Sequence, residues 1–459
     1  MLIAIILTIL ILYAIFFLFD RRKAILSLYL IKLPLDQFAW RVSLGFMDLR
    51  LSEVFTLLIT ILLSIILIMD RIKDPDRLGF WGNIPSKVRI PILMFFILCL
   101  MNVLFAQAKI FTLQSVFKLL TGFVIGTFTA KIITTEEDIY SLIKIMTISV
   151  IVIFVSVMPD LFSGGQLQVF APTSDDPYKG TYISGGASKY YSADGFAFAF
   201  LVYIPAILLF SNVYKQKWEF LLCIFAMLFV SIAVFASAIR IAWISFIVIL
   251  SIWIIVNKKW KLSVVIVFLI SILFVTNILD KPFQTAIQKS NYEIESFKKG
   301  ELPSEYAFNA RPKMWKFYMS NYMMLPLLDK AFGSEKTMRV SFSSIGYSTH
   351  NDFLYILIRM GFIGLGITLF LYIYLFLQII KIIRKSNRSY FDWQIGLTAI
   401  LGLIGMLLPA LTRAGLTNPN FQWFFWTFAM IALKGNYILE PQNNEAIDYG
   451  KNEILSSEL

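Results

Sequence analysis

The amino-acid sequence predicts an all-α polytopic membrane protein of about twelve transmembrane helices, thirteen being possible, with a long structured extracytoplasmic loop. Three observations carry that prediction. Hydrophobic residues make up 58% of the 459-residue chain and charged residues only 15%, against about 45–50% and about 25% in a soluble domain. The mean hydropathy is +0.74, and apolar runs near the roughly 18 residues that span a bilayer recur along the chain. The formal net charge of +12 is spread through short loops between those runs, as positive-inside topology requires. No basic patch gathers, so no nucleic-acid partner is expected. Cys99 and Cys223 both lie inside apolar segments, which leaves no disulfide framework and no cysteine zinc site.

Residues 2–19 are an apolar run with Arg21, Arg22 and Lys23 after it and no basic residue before it. A cleaved signal peptide has the reverse charge order, so a retained helix is expected. Further spans are expected at 51–69, 90–106, 112–132, 139–161, 194–212, 218–236, 241–256, 262–279, 351–378, 393–411 and 421–433. Basic loops mark the cytoplasmic side: Arg71 to Arg89, Lys215 and Lys217, Lys258 to Lys261, and Lys381 to Arg388. Alternation then places 163–193, 280–350 and 412–420 outside and the polar tail 434–459 inside. Residues 1–433 form a single transmembrane helical domain on this reading. The start has two solutions. Residues 24–40 either cross the membrane, or lie with the rest of 24–50 on the outer face. Pro34, Asp36 and Arg41 interrupt the apolar run and favour the second.

Thr134-Thr135-Glu136-Glu137-Asp138 resembles an acid cluster, but Thr135 and Asp138 have capping-box spacing and acids favour a helix N-terminus. No internal period or pair of similar halves is visible, which counts against a transporter built from repeats.

The loop from 280 to 350 is roughly 70 residues long, far beyond the 12–15 that an unstructured connection usually has. Asn309-Ala310-Arg311-Pro312 reads as a helix start. Arg311, Trp315, Tyr318 and Tyr322 then recur on one helical face, with Lys313 and Lys316 off it. Such a helix fits the membrane interface, or equally a cap over the bundle.

Three groups on this side can serve chemistry. Arg240 sits in the turn Ser237-Ala238-Ile239-Arg240-Ile241-Ala242-Trp243, Arg311 opens the loop helix, and His350, the only histidine in the chain, closes the loop. The planar fork of arginine suits a phosphate or pyrophosphate. A histidine near neutral pKa can take a proton from a hydroxyl. The plainer alternatives are a snorkelling Arg240 and a His350 that caps the next helix. Arg359 is nine residues beyond His350, on the opposite side of a regular helix and about 13 Å along it; it should face a polar cavity or a partner. Asn351 and Trp315 flank these groups. In the loop 163–193, Tyr191 and its small polar neighbours suit sugar contacts, while Asp175-Asp176-Pro177 reads as a turn rather than a cation site. No metal or other cofactor is expected.

Several stretches in this order resemble the O-antigen ligase and polymerase family of bacterial envelope proteins. They are Ser192-Ala193-Asp194-Gly195-Phe196-Ala197, the Ser237–Trp243 turn, Arg311 with Trp315 followed by Pro326 and Gly333, Thr349-His350-Asn351-Asp352-Phe353-Leu354 with Gly361-Phe362-Ile363-Gly364, and Phe421-Gln422-Trp423-Phe424-Phe425-Trp426. The likeness covers residues 190–433. Ala193-Asp194 stands where the family often has Pro-Asn, and no second glycine follows Gly333.

The resemblance implies a GT-C-like membrane glycosyltransferase of the bacterial cytoplasmic (inner) membrane, its site facing the periplasm or exterior. It would transfer glycan from an undecaprenyl-pyrophosphate-linked donor to an acceptor glycan or glycolipid, in lipopolysaccharide or exopolysaccharide assembly, without a metal. Carried over, Arg240 and Arg311 would hold the pyrophosphate and His350 would act on the acceptor hydroxyl. Polymerase is placed slightly ahead of ligase. The rival class is a lipid-linked oligosaccharide flippase.

Overall fold

The computed structural model describes residues 13, 15–17, 19–37, 41–43, 48–73, 86–105, 109–162, 193–236, 239–260, 284, 287, 291, 294–295, 298–299, 307–333, 350–384, 390–412 and 415–434. Helices dominate them. In chain order these are α1 (Arg21–Gln37), α2 (Leu51–Lys73), α3 (Ser86–Phe105), α4 (Lys109–Ile132), α5 (Glu136–Phe162), α6 (Ala193–Val213), α7 (Lys217–Ala236), α8 (Arg240–Asn257), α9 (Ala307–Met323), α10 (Leu327–Phe332), α11 (Asp352–Ile383), α12 (Tyr390–Ala410) and α13 (Pro419–Lys434). One antiparallel hairpin, β1 (Arg41–Ser43) with β2 (Asp48–Arg50), interrupts them. The expected spans at 262–279 and most of 2–19, and the tail beyond Lys434, lie outside the described residues.

Among the described residues four stretches are long and apolar enough to cross a bilayer: Lys217–Phe235, Arg240–Asn257, Asp352–Ile383 and Tyr390–Ala410. Val54–Asp70, Val88–Leu104, Leu120–Ile132 and Leu201–Val213 are shorter apolar helical stretches. On α3 the residues Leu93, Met94, Ile97, Leu100 and Leu104 are exposed while Ile92, Phe95 and Cys99 are buried. An apolar helix with an exposed apolar stripe is stable only against a hydrocarbon solvent.

Ion pairs collect at one end of the bundle. Asp70, late in α2, binds Arg21 at 2.8 Å and Lys131 at 2.9 Å. Arg22 pairs with Asp138, Lys215 with Glu137, and Lys144 with Glu219. The Thr134–Asp138 stretch is the cap that its spacing predicts: Asp138 accepts from the Thr134 and Thr135 amides, and its own amide donates to Thr135 Oγ1 at 3.1 Å.

α1 starts at this ion-paired end and runs into the bundle for about 25 Å. Tyr29 bonds Thr129 at 3.0 Å and also Thr427, Ser149 donates to the Leu30 carbonyl at 3.1 Å, and Lys32 lies 4.9 Å from the Trp423 ring. Residues 24–37 therefore do not lie along the outer face, as the favoured sequence reading has it. Two other polar groups of α1 are met inside the protein, Lys32 by an aromatic face and Tyr29 by two threonines.

The tightest helix pair is α4 with α13. A Cβ on Gly122 would lie 2.6 Å from the Gln422 backbone, and one on Gly126 would lie 2.5 Å from that of Trp426. Two glycines four apart let the backbones touch, the usual close approach where no water drives helices together. The pair is parallel, since register runs 122 with 422 and 126 with 426.

α11 is not one straight rod. Gly361 has φ 68° and ψ −178°, so Asp352–Met360 and Phe362–Ile383 are separate helical segments. Twenty residues of regular helix would hold Asp352 and Tyr372 about 30 Å apart. A short relay connects them instead. Asp352 accepts from the amides of Gly415 and Thr417, the Leu416 carbonyl accepts from Gln422 Nε2, and that same nitrogen lies 2.9 Å from the Tyr372 hydroxyl. The break folds the first segment back toward the second.

Candidate functional site

The site is built at the start of α11. Asn351 is the N-cap, its Oδ1 accepting from the Leu354 amide at 2.9 Å, while its Nδ2 donates to the Leu411 carbonyl at 3.0 Å. Asn351, not His350, therefore satisfies the helix end. Its polar atoms hold α11 to the end of α12.

Asp352 completes that anchor. Its carboxylate is buried and accepts from Gly415 N at 2.6 Å, Thr417 N at 3.0 Å and Thr417 Oγ1 at 2.7 Å. Sequence reasoning passed over Asp352. The signal available was an acid at the first helical position, with a short loop of Gly and Thr some sixty residues later. Asp352→Ala is expected to leave three donors unpaired in a dry site, each worth about 1–3 kcal/mol. Heat challenge followed by size-exclusion recovery should show a lower melting midpoint, with Asp352→Asn intermediate because it keeps one acceptor oxygen.

His350 adopts φ 46°, a left-handed conformation unusual outside glycine. The ring is half-buried and within range of the Arg311 charge. Burial first, and the Arg311 charge second, push its pKa below the ordinary histidine value. The imidazole thus stays neutral, and able to accept a proton, to lower pH than a free histidine would.

Arg311 is brought to the His350 end because α9 packs along the first segment of α11. Met314, Tyr318 and Tyr322 are buried against Leu354 and Ile358, with Trp315 packed beside them. Lys313 and Lys316 face outward. The aromatic face of the predicted amphipathic helix is consumed by protein, so α9 is a cap over the bundle. Its start differs by one turn from the sequence reading. α9 opens at Ala307, leaving Arg311 and Pro312 inside the helix.

The far end of α9 is clasped to the break in α11. The Tyr322 hydroxyl accepts from the Phe362 amide, the first after the break, and donates to the Lys330 carbonyl at 2.7 Å. Two glycines meet there. A Cβ on Gly333 (φ 91°) would lie 2.0 Å from the Arg359 carbonyl oxygen, and one on Gly361 would lie 2.1 Å from that of Ala331. Asn102 of α3 donates to the Phe332 carbonyl at 3.1 Å. Arg359 is therefore at the corner of the fold, its guanidinium 4.7 Å from the Tyr355 ring.

Arg240 opens α8 and is half-buried. Trp243 ties α8 to the end of α7, its Nε1 donating to the Val234 carbonyl at 2.9 Å. Asn257, at the other end of α8, shares its side-chain oxygen with Gln394 of α12, and Ile249 meets Gly405. α8 and α12 thus run antiparallel, which brings Arg240 to the Leu411 end of α12, where Asn351 is bonded. Arg240, Arg311 and His350 occupy one end of the bundle and the ion pairs the other. Tyr191 and Asp175-Asp176 lie outside the described residues. Among the described residues no group of three His, Cys, Asp or Glu side chains could hold a metal ion.

Residues 225–371 match the family model described as O-antigen ligase. The match begins within α7, ends within α11, and contains Arg240, Arg311, Trp315, His350, Asn351 and Arg359. No curated protein matches the chain.

Proposed function

From an O-antigen ligase-family region at residues 225–371 of an apolar, helical membrane protein, we propose a glycosyltransferase that uses an undecaprenyl-pyrophosphate-linked glycan as donor. The acceptor is a sugar hydroxyl on another lipid-linked glycan or on a glycolipid, with polymerisation placed ahead of ligation. The protein sits in the bacterial inner membrane as one helical domain over 1–433, with 434–459 as its cytoplasmic tail. The Arg240, Arg311 and His350 end faces the periplasm or exterior, and the ion-paired end faces the cytoplasm.

The observation that supports this reading is a half-buried His350 just before α11, on the same end of the bundle as Arg240 and Arg311, with its pKa lowered by burial and by the Arg311 charge. The acceptor oxygen attacks the anomeric carbon, and the bond from that carbon to the pyrophosphate oxygen breaks. The hydroxyl proton passes to the neutral imidazole. The negative charge that develops on the leaving pyrophosphate is met by Arg311 and Arg240, which stabilise it most when the bond is breaking. Pyrophosphate is already a good leaving group, so one base and two cations suffice. Trp315, Arg359 and Tyr191 are the proposed substrate contacts; Asn351, whose side-chain oxygen and nitrogen are taken by the Leu354 amide and the Leu411 carbonyl, is a positioning residue for His350.

The test is complementation of glycan assembly by His350→Ala, Arg240→Ala and Arg311→Ala at matched protein levels. Accumulated lipid-linked donor with lost product is expected for each. The length and anchor of the wild-type product separate polymerase from ligase. Full activity in all three variants would reject the site, and a donor left on the cytoplasmic face would turn the reading to a flippase.

A further inference from the structure

The turn between α9 and α10 exposes an unusual set of side chains. Met323 is 63% exposed, Met324 82%, Leu327 75% and Leu328 73%. The ten residues from Met319 to Leu328 carry no charge. Four large apolar side chains in contact with water would be a strong aggregation hazard, so a patch of this kind marks a surface that something covers.

What surrounds it identifies the occupant. The other side of α10 is tied down: Ala331 is buried, the Phe332 carbonyl takes the Asn102 amide, and Gly333 presses on Arg359. Those contacts join the turn to α3 and to the break in α11. Both helices present exposed apolar residues nearby, Leu100 and Leu104 on α3 and Phe362 on α11. The patch is therefore continuous with the surface that the apolar helices offer to lipid. Along α9 the outward stripe also changes character, from Lys313 and Lys316 through Ser320 to Met323 and Met324, over about 16 Å of helix. Basic residues at one end and bare apolar ones at the other match a headgroup layer passing into hydrocarbon.

We propose that the α9–α10 turn is seated in the hydrocarbon of the bilayer, through Met323, Met324, Leu327 and Leu328, with Lys313 and Lys316 at the lipid phosphates. The long loop is then anchored in the membrane at its tip, and Arg311 is held at a depth set by the bilayer as well as by α11. This inference does not depend on the transfer reaction.

The test uses the full chain in phosphatidylcholine–phosphatidylglycerol vesicles, with single nitroxide labels at Met324→Cys, Leu328→Cys and Lys313→Cys in a Cys99→Ala, Cys223→Ala background. Power saturation should show oxygen collisions exceeding those of a water-soluble nickel chelate several-fold at Met324 and Leu328, and the reverse at Lys313. Nickel-favoured collisions at the two tip positions would overturn the proposal, as would low collision with both reagents, which means cover by protein such as a second copy. If the cysteine-free background does not fold, the unmodified protein can be irradiated in vesicles containing a phospholipid with a photoactivatable acyl chain. An adduct on Met323–Leu328 is expected. Labelling of α3 without labelling of that turn would reject the proposal.

Discussion

Gly361→Ala is expected to be among the most destabilising single-methyl additions in the chain. An L-residue at φ 68° and ψ −178° occupies a region that is essentially reserved for glycine, at a cost of about 1–3 kcal/mol. The new methyl would also sit 2.1 Å from the Ala331 carbonyl oxygen and 2.2 Å from its carbon, both backbone atoms that cannot rotate away. Overpacking adds about 1–3 kcal/mol more. Gly333→Ala should behave alike, because it faces the Arg359 carbonyl from the other side of the same contact. The double variant should lose less than the sum, since either substitution already parts α10 from α11. Gly366→Ala is the control. It lies five residues on, with nothing within 4 Å of a built Cβ, so alanine there should be neutral or stabilising by up to about 1 kcal/mol. Melting midpoints in detergent decide the matter, and a Gly361→Ala protein that melts like wild type would remove the clasp from the account of the site.

The second large effect is on rate. His350→Gln keeps a polar side chain of similar reach but cannot accept a full proton, and about 10²–10⁴-fold is lost when a positioned general base is removed. The pH profile gives the finer result. A base works only when neutral, so activity falls as pH drops through its pKa. Burial and Arg311 hold the His350 pKa below the ordinary value; the wild-type acid limb should therefore lie below that of a free histidine. Arg311→Gln removes one of the two causes, and the acid limb should move upward in pH. Arg311→Lys, which keeps the charge, should leave the limb near wild type even where turnover falls. Measured with a lipid-linked donor, an unchanged limb in Arg311→Gln would show that the two residues do not act together.

The sequence by itself determined what depends on local signals. Apolar runs located the helices to within a few residues, as at Tyr390–Ala410 and Lys217–Ala236. The Thr135–Asp138 spacing located a cap. Positive-inside counting put Arg240, Arg311 and His350 at one end, and the antiparallel register of α8 with α12 agrees. Each of these follows from composition within a few turns of helix, where side-chain transfer and backbone satisfaction are decided residue by residue.

Tertiary structure alone decided the rest. Gly361 and Gly366 look equivalent in an apolar run, yet only one meets another backbone, and the meeting depends on a segment some thirty residues earlier. Asp352 and Asn351 read as polar residues before a helix, and became anchors because the 411–417 turn, sixty residues on, brings its amides and a carbonyl to them. Pro34, Asp36 and Arg41 read as reasons for residues 24–40 to stay outside, yet Lys32 and Tyr29 are buried in the bundle because Trp423, Thr129 and Thr427 supply partners. Gly122 and Gly126 give no hint in sequence of which helix they admit. The physical reason is common to all four. The free energy of a polar atom or a bare glycine inside a membrane protein is set by what is brought against it, and that is a property of long-range packing rather than of neighbouring residues.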